Sequence, residues 1–284
     1  MRKFVLLVFI SFFCCASCAG AEKKEIKASD ILKTIKKGKP VQIVGKIILD
    51  DLDFTQANEP FVMDAFTVQT EITSNVFFSH CVFMGKVTSN NSKGKTNLQS
   101  VFKNNLIFNN CDFRGEVDFS DAVVFGKTDF SQSTFRKQAN FNNISVWSKG
   151  SYFDNMVAEQ NFSMIYAFFW GNLSFLDAKF QAKSSFQEIK VTGNLSFINA
   201  VFADNVDFAL METGRTLFNY AAFEKNASFS NARFLSSAEF VHTTFGGSTN
   251  FENAYFSDVV KTEGVENIDF SKAFFIQKQE MKGK

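Results

Sequence analysis

Phenylalanine recurs along this chain at alternating intervals of five and six residues, and few folds tolerate that rhythm. Phe108, Phe113, Phe119, Phe125, Phe130, Phe135 and Phe141 open the series. It resumes at Phe175, Phe180, Phe186, Val191, Phe197, Phe202 and Phe208, then runs through Phe218, Phe223, Phe229, Phe234, Phe240, Phe245, Phe251 and Phe256. On an α-helix such steps fall at about 140° and 240° and spread the rings over every face. On a plain strand the odd steps alternate between faces. A chain that turns a corner after each unit keeps every ring on the inside, and identical positions of successive coils then stack about 4.8 Å apart. Phe119, Phe130, Phe141, Phe175, Phe186, Phe197, Phe208, Phe218, Phe229, Phe240 and Phe251 are therefore expected in one continuous core. The 284 residues hold 39 Phe but only 2 Trp and 4 Tyr. An irregular core mixes shapes, so this bias points to one environment repeated many times.

A second column lies two residues before the Phe and is small: Ala139, Ala178, Ala200, Ala221, Ala227, Ala232, Ala238 and Ala254, with Cys81 and Cys111 in the same slot. The residue between is usually polar, as in Asp112, Asp118, Asp129, Asn140, Ser196, Asp207, Ser228 and Asn250. The unit reads small, polar, Phe, then variable residues. Val117-Asp118-Phe119-Ser120-Asp121, Ala139-Asn140-Phe141-Asn142-Asn143 and Ala227-Ser228-Phe229-Ser230-Asn231 are good instances. This pattern resembles the pentapeptide-repeat family over most of Phe78 to Phe275. The resemblance implies an all-β, right-handed quadrilateral parallel β-helix with four units per coil. The departure is an extra residue in every second unit, giving about 22 residues per coil and expected as a small outward bulge at two opposite corners.

The N-terminus reads as an export signal. Arg2 and Lys3 precede an apolar run from Phe4 to Cys15 broken only by Ser11, too short for a comfortable membrane-spanning helix. Two cleavage chemistries fit residues 1–21. Ala19-Gly20-Ala21 suits an ordinary signal peptidase, leaving Glu22 first; Cys15-Ala16-Ser17-Cys18 is similar to a bacterial lipobox, with Cys18 as the lipidated residue. Removing Arg2 and Lys3 leaves 28 basic against 29 acidic residues. That balance argues against a nucleic-acid footprint. Only Cys81 and Cys111 then remain, expected as two buried free thiols although exported proteins can form disulfides.

Residues 22–50 read as an N-terminal cap, with Ser29 to Gly38 a short amphipathic helix (Ser29 the N-cap, Ile31, Leu32 and Ile35 the stripe, Gly38 the C-cap) followed by strand-like Val41 to Leu49. The β-helix is expected over 51–276 and a frayed tail over 277–284. Three stretches break the period: Gly85 to Thr96, read as a surface loop; Asn142 to Ser174, which holds Trp147, Tyr152, Tyr166 and Trp170; and the polar Val259 to Ile268. The aromatic residues of the second are either binding features or substitutes for Phe in a distorted coil.

Residues suited to catalysis are sparse. His80 and His242 fall in outward slots without Cys, His or carboxylate company at metal-ligand spacing. There is no phosphate loop, nucleophile elbow or zinc-protease helix in the sequence. Neither catalytic residues, a cofactor nor a metal is expected. The sequence suggests a non-enzymatic envelope module that is structural or binds another protein, touching a membrane only through a lipid anchor and binding no nucleic acid. Two other readings are a DNA-mimicking inhibitor, whose acidic column Lys127, Lys137, Lys179, Lys190, Lys225 and Arg233 would dilute, and a carbohydrate-active β-helix enzyme, which needs clustered Asp with Arg or Lys.

Overall fold

The computed structural model describes residues 24–91, 96–266 and 268–276. The chain winds as a four-faced parallel β-solenoid whose sheets contain ten, nine, eleven and ten strands. We name the faces in chain order by one coil: face I carries Asp112–Phe113, face II Val117–Asp118, face III Val123–Val124 and face IV Thr128–Asp129. The next coil repeats each in register, with Phe113 beside Phe135, Val117 beside Ala139, Val124 beside Val146 and Thr128 beside Ser151. Two-residue strands suffice because each hydrogen-bonds to the coils above and below rather than along its own length.

The four corners are of two kinds, arranged alternately. Between faces II and III, and between IV and I, the chain takes a tight turn in which the N–H of the small residue donates to the carbonyl of the preceding Phe, as Ala122 does to Phe119 at 3.3 Å and Ala200 to Phe197 at 3.0 Å. Among the described residues, fifteen non-glycine residues with positive φ mark these corners, Asp121, Asn143 and Asn231 on one and Asn110, Asn155 and Asn199 on the other among them. Such a turn needs a left-handed residue at its third position, and Asn and Asp enter that region most readily. The other two corners hold the extra residue and have no such turn. There Asn side chains span the coils: Asn105 Oδ1 accepts from Lys127 N, Asn205 Oδ1 from Asn226 N and Asn226 Oδ1 from Ser248 N, at 2.9, 3.2 and 3.0 Å. At one wide corner Gly115 leaves no room for a Cβ, which would collide with the Gly85 carbonyl of the coil below.

Inside, rings stack on rings. Phe78, Phe108, Phe130, Phe153, Phe175, Phe197, Phe218 and Phe240 form an unbroken column on face IV, with centroids 4.8–5.3 Å apart. Rings from neighbouring faces meet these edge-on, as Phe119 meets Phe130 at 5.4 Å and 70°, the geometry that aromatic quadrupoles favour. All eleven Phe expected in the core are buried. Phe125 is not: it is 47% exposed, and Val124 takes the inward place. The wide corner begins one residue earlier than the Phe rhythm suggests, so the side chain after Val124 points out.

One coil exchanges its large and small positions. Ala158 pairs with Phe135 and Phe180 where a ring belongs, while Phe162 pairs with Ala139 and Ser184 where a small residue belongs. The Phe162 ring enters the space that Ala158 leaves, 6.3 Å from Phe135 and 5.3 Å from Phe180.

The helix spans Ala28–Lys36 (α1) and buries Ala28, Ile31 and Ile35. It starts earlier than expected: Lys27 is the N-cap, with no side-chain cap bond, and Ser29 lies exposed inside the first turn. Burial of Ala28 draws that residue into the helix and leaves Ser29 one position too late to cap. Gly38, at φ +65°, closes the C-terminus, its N–H donating to Ile35 and that of Lys39 to Thr34, a pairing that satisfies the last carbonyls. Val41–Val44 is already the first strand of face IV, in register with Val76–Ser79, and Ile47–Ile48 joins face I. The solenoid ladder therefore begins inside residues 22–50.

The three irregular stretches follow the coil more closely than their sequences suggest. Within Gly85 to Thr96, expected as loop, Val87–Thr88 is a strand of face II, because Val87 fills the inward slot between Leu52 and Val117. Val260–Lys261, in the last polar stretch, is the final strand of face IV. Between Val146 and Phe153 the coil merely gains one residue at a wide corner, in Ser148-Lys149-Gly150. The segment 1–21 expected as a signal, Cys18 and the tail 277–284 lie outside the described residues.

Candidate interaction surface

With the interior filled, chemistry must lie on the outward columns. The wide corner between faces III and IV carries Lys103, Phe125, Trp147, Trp170 and Thr192 on successive coils. Three of these form an exposed aromatic ladder, with Trp147 at 47% and Trp170 at 57% exposure. The two indoles stack at 6.1 Å and 24°, and Phe168 of face III packs on Trp147 at 5.0 Å. Lys103 Nζ lies 5.1 Å from the Phe125 centroid and pairs with Glu71 at 2.7 Å, ending the ladder with a charge. The backbone beneath is fixed, since Trp147 N–H donates to Val124 and Trp170 N–H to Val146, at 2.8 and 2.9 Å.

Of the four Trp and Tyr residues in the irregular stretch, the coil brings Trp147 and Trp170 together and separates the rest. Tyr152 sits on face IV under Lys127, whose Nζ is 4.6 Å from its ring. Tyr166 stands exposed at a tight corner, where a hydrogen bond to Glu188 raises its pKa. None of the four replaces an inward Phe; the inward places there belong to Val146, Phe153, Met164 and Phe169. Phe125 and Phe168 are the members that a sequence reading misses. Each follows or precedes an inward apolar residue, and two adjacent apolar residues are the signal that one must face out.

Face II presents a shallow groove of about 610 Å³ lined by Asn161, Ser163, Ser185, Asn205, Asp207 and Ser228 among others. These are short polar side chains satisfied along the column, as where Ser163 Oγ donates to Asn142. The histidines lie elsewhere: His80 Nδ1 meets Ser79 Oγ at 2.8 Å, and His242 stacks on Tyr220 at 5.2 Å. No group of three or more His, Cys, Asp or Glu that could hold a metal occurs among the described residues.

Several outward carboxylates have basic neighbours on their own or the adjacent coil. Asp112 pairs with Arg136 at 2.6 Å, Asp129 with Lys127 at 2.8 Å and Glu212 with Arg233 at 3.0 Å. Glu239 is the most enclosed, 8% accessible and held by Arg215, Lys261 and Asn219. Burial pushes its carboxyl up, but the hydrogen bonds from Asn219, Arg215 and Lys261 and the Arg215 charge outweigh it and bring the pKa to about 2. At these positions acidic and basic side chains stand side by side on the outer surface.

The repeat itself matches a known family model, "Pentapeptide repeats (9 copies)", over residues 99–145. Residues 99–145 are thus similar to pentapeptide repeats, and the same four-faced coil continues on either side of them. A similar solved structure is that of HetL, a pentapeptide repeat protein involved in heterocyst differentiation regulation from the cyanobacterium Nostoc sp. strain PCC 7120. It is 12% identical, and the match covers 88% of this chain and 97% of that one with a TM-score of 0.23. No curated protein matches the sequence. From Val101 to Phe256 the departures of this solenoid from five-residue units are confined to its wide corners, and one of those corners carries the aromatic ladder.

Proposed function

We propose that this pentapeptide-repeat solenoid is an exported, non-enzymatic scaffold of the bacterial envelope that offers its aromatic ladder to a partner protein. The observation that carries this reading is the placement of Phe125, Trp147 and Trp170 on three consecutive coils, all exposed, with the two indoles stacked and their backbone held by ladder hydrogen bonds. Exposing such rings to water is unfavourable, and rigid aromatic side chains make strong interface anchors because little conformational freedom is lost on binding. A photo-crosslinking residue at Trp147 in cells should capture a discrete protein, and the same residue at Ser228 on face II should not. Capture that is equal at both positions, or that survives Trp170→Ala unchanged, would reject the ladder as the binding surface. Export is tested separately with Cys18→Ala. Loss of lipid labelling and membrane retention supports the lipobox, whereas unaltered processing to a soluble form beginning at Glu22 assigns ordinary signal peptidase cleavage.

A further inference from the structure

Cys81 and Cys111 occupy the same inward slot of two adjacent coils. Val82 pairs with Asp112 and Ser79 with Asn109, so the backbone runs in register on both sides of the two cysteines. The Asp112 N–H donates to the Cys81 carbonyl at 2.9 Å, fixing the strands against each other at this point. Parallel neighbours lie about 4.8 Å apart, within the Cα range of about 4.4–6.8 Å that disulfides span. Neither cysteine is in a disulfide, and both residues are buried, at 1% and 2% exposure. Each sulfur stays at the corner: Cys81 Sγ is 3.3 Å from the Ser79 carbonyl and Cys111 Sγ is 3.5 Å from the equivalent Asn109 carbonyl.

We propose that Cys81 and Cys111 are a redox site that closes into an intramolecular disulfide when the chain folds in the presence of an oxidising low-molecular-weight disulfide. The two thiols give up two protons and two electrons, one S–S bond forms between the coils, and the oxidant's S–S bond is cleaved to two thiols. Hydrogen bonding from the Cys111 thiol, working against burial, lowers the Cys81 pKa to about 6. That favours the thiolate that begins the exchange.

The position gives the link a purpose. The coil between the cysteines contains the irregular stretch after Thr88 and the long strand Asn97–Phe102, which pairs with Thr67–Ile72 of the coil before. Face II of this coil is held below only by Leu52–Asp53, the first strand of its sheet. Solenoid coils contact only their neighbours, so the terminal ones open first. A bond from Cys81 to Cys111 ties the second of these coils to the third and limits opening from the N-terminal end. The same slot one coil further on holds Ser133, which donates to the Phe108 carbonyl at 2.7 Å, so serine is accommodated here without loss of the fold.

The test refolds mature protein from urea with oxidised and reduced glutathione, then denatures it in maleimide-coupled polyethylene glycol to count thiols. We expect a monomer with no adduct before reduction and two after dithiothreitol, and a urea midpoint that falls on reduction. Cys111→Ser should fold, carry one adduct throughout, and melt with the reduced wild type. Two adducts without reductant, a disulfide-linked dimer, or a Cys111→Ser midpoint equal to that of the oxidised protein would overturn the proposal.

Discussion

Removing the ring of Phe162 should be among the most damaging truncations in the chain, although Phe162 stands where the repeat calls for a small residue. Its side chain is 1% exposed and faces six other rings: Phe135, Phe141, Phe153, Phe175, Phe180 and Phe186, at 5.3–6.3 Å. Phe162→Ala therefore opens a cavity. Phe135 and Phe180 cannot close it, because ladder bonds hold their strands, such as Arg136 N to Phe113 O and Gln181 N to Ala158 O at 2.9 Å. A site that cannot collapse falls high in the range for buried Phe, about 4–5 kcal/mol. Ala158→Phe alone adds a second ring to an occupied space and costs about 1–3 kcal/mol. Together the two changes restore the ordinary arrangement, with the ring on face I and the small residue on face II. The double variant should then lose no more than about 2 kcal/mol, a coupling of at least about 3 kcal/mol between the sites. Urea melts of the four proteins measure this directly. Additive losses would mean that Phe162 does not fill the Ala158 vacancy, and the exchange of large and small positions would be refuted.

Three further outcomes test inward and outward assignment, electrostatics and corner sterics. Ala232→Leu should cost about 1–3 kcal/mol and Phe234→Ala about 3–5, because both side chains are fully buried. Arg233→Ala between them should cost within about 0.5 kcal/mol despite its contact with Glu212; urea melts that reversed this order would shift the register by one residue. Glu239 has a pKa of about 2 when folded against an ordinary 4.5, so its ion pairs contribute fully above about pH 4.5. That contribution, at most about 3 kcal/mol, is lost as pH falls toward 2. The stability gap between wild type and Glu239→Gln should accordingly narrow across that window, and a gap that held constant would contradict the enclosed carboxylate. Gly115→Ala should lower the thermal midpoint by several degrees, since its Cβ meets the Gly85 carbonyl; an unchanged midpoint would show that the wide corner has room to spare.

How much of this molecule is legible without coordinates depends on the range of the interaction that sets each feature. Alternating five- and six-residue steps determine that the chain turns a corner after each unit and buries Phe119, Phe130 and Phe141, because that path keeps every ring inside; four corners per coil is what the resemblance to pentapeptide repeats implies and the four sheets show. The alternation also places the extra residue at opposite corners, since two unlike steps repeated twice around a quadrilateral must face each other. Asn and Asp one residue before the small slot, as at Asn143 and Asp177, mark the tight corners by a local backbone preference. What the coil decides is set by neighbours 21 to 23 residues away along the regular ladder, and 30 where Cys81 meets Cys111. Val124 rather than Phe125 points inward because the corner's position is fixed by the coils on either side. Phe162 is buried because Ala158 leaves a gap between two rings of other coils. Trp147 and Trp170 meet, and Tyr152 and Tyr166 do not, because one inserted residue changes the count around a corner without changing the stack. Cys81 and Cys111 become partners for the same reason, since the solenoid absorbs the residues between them and returns the chain to register.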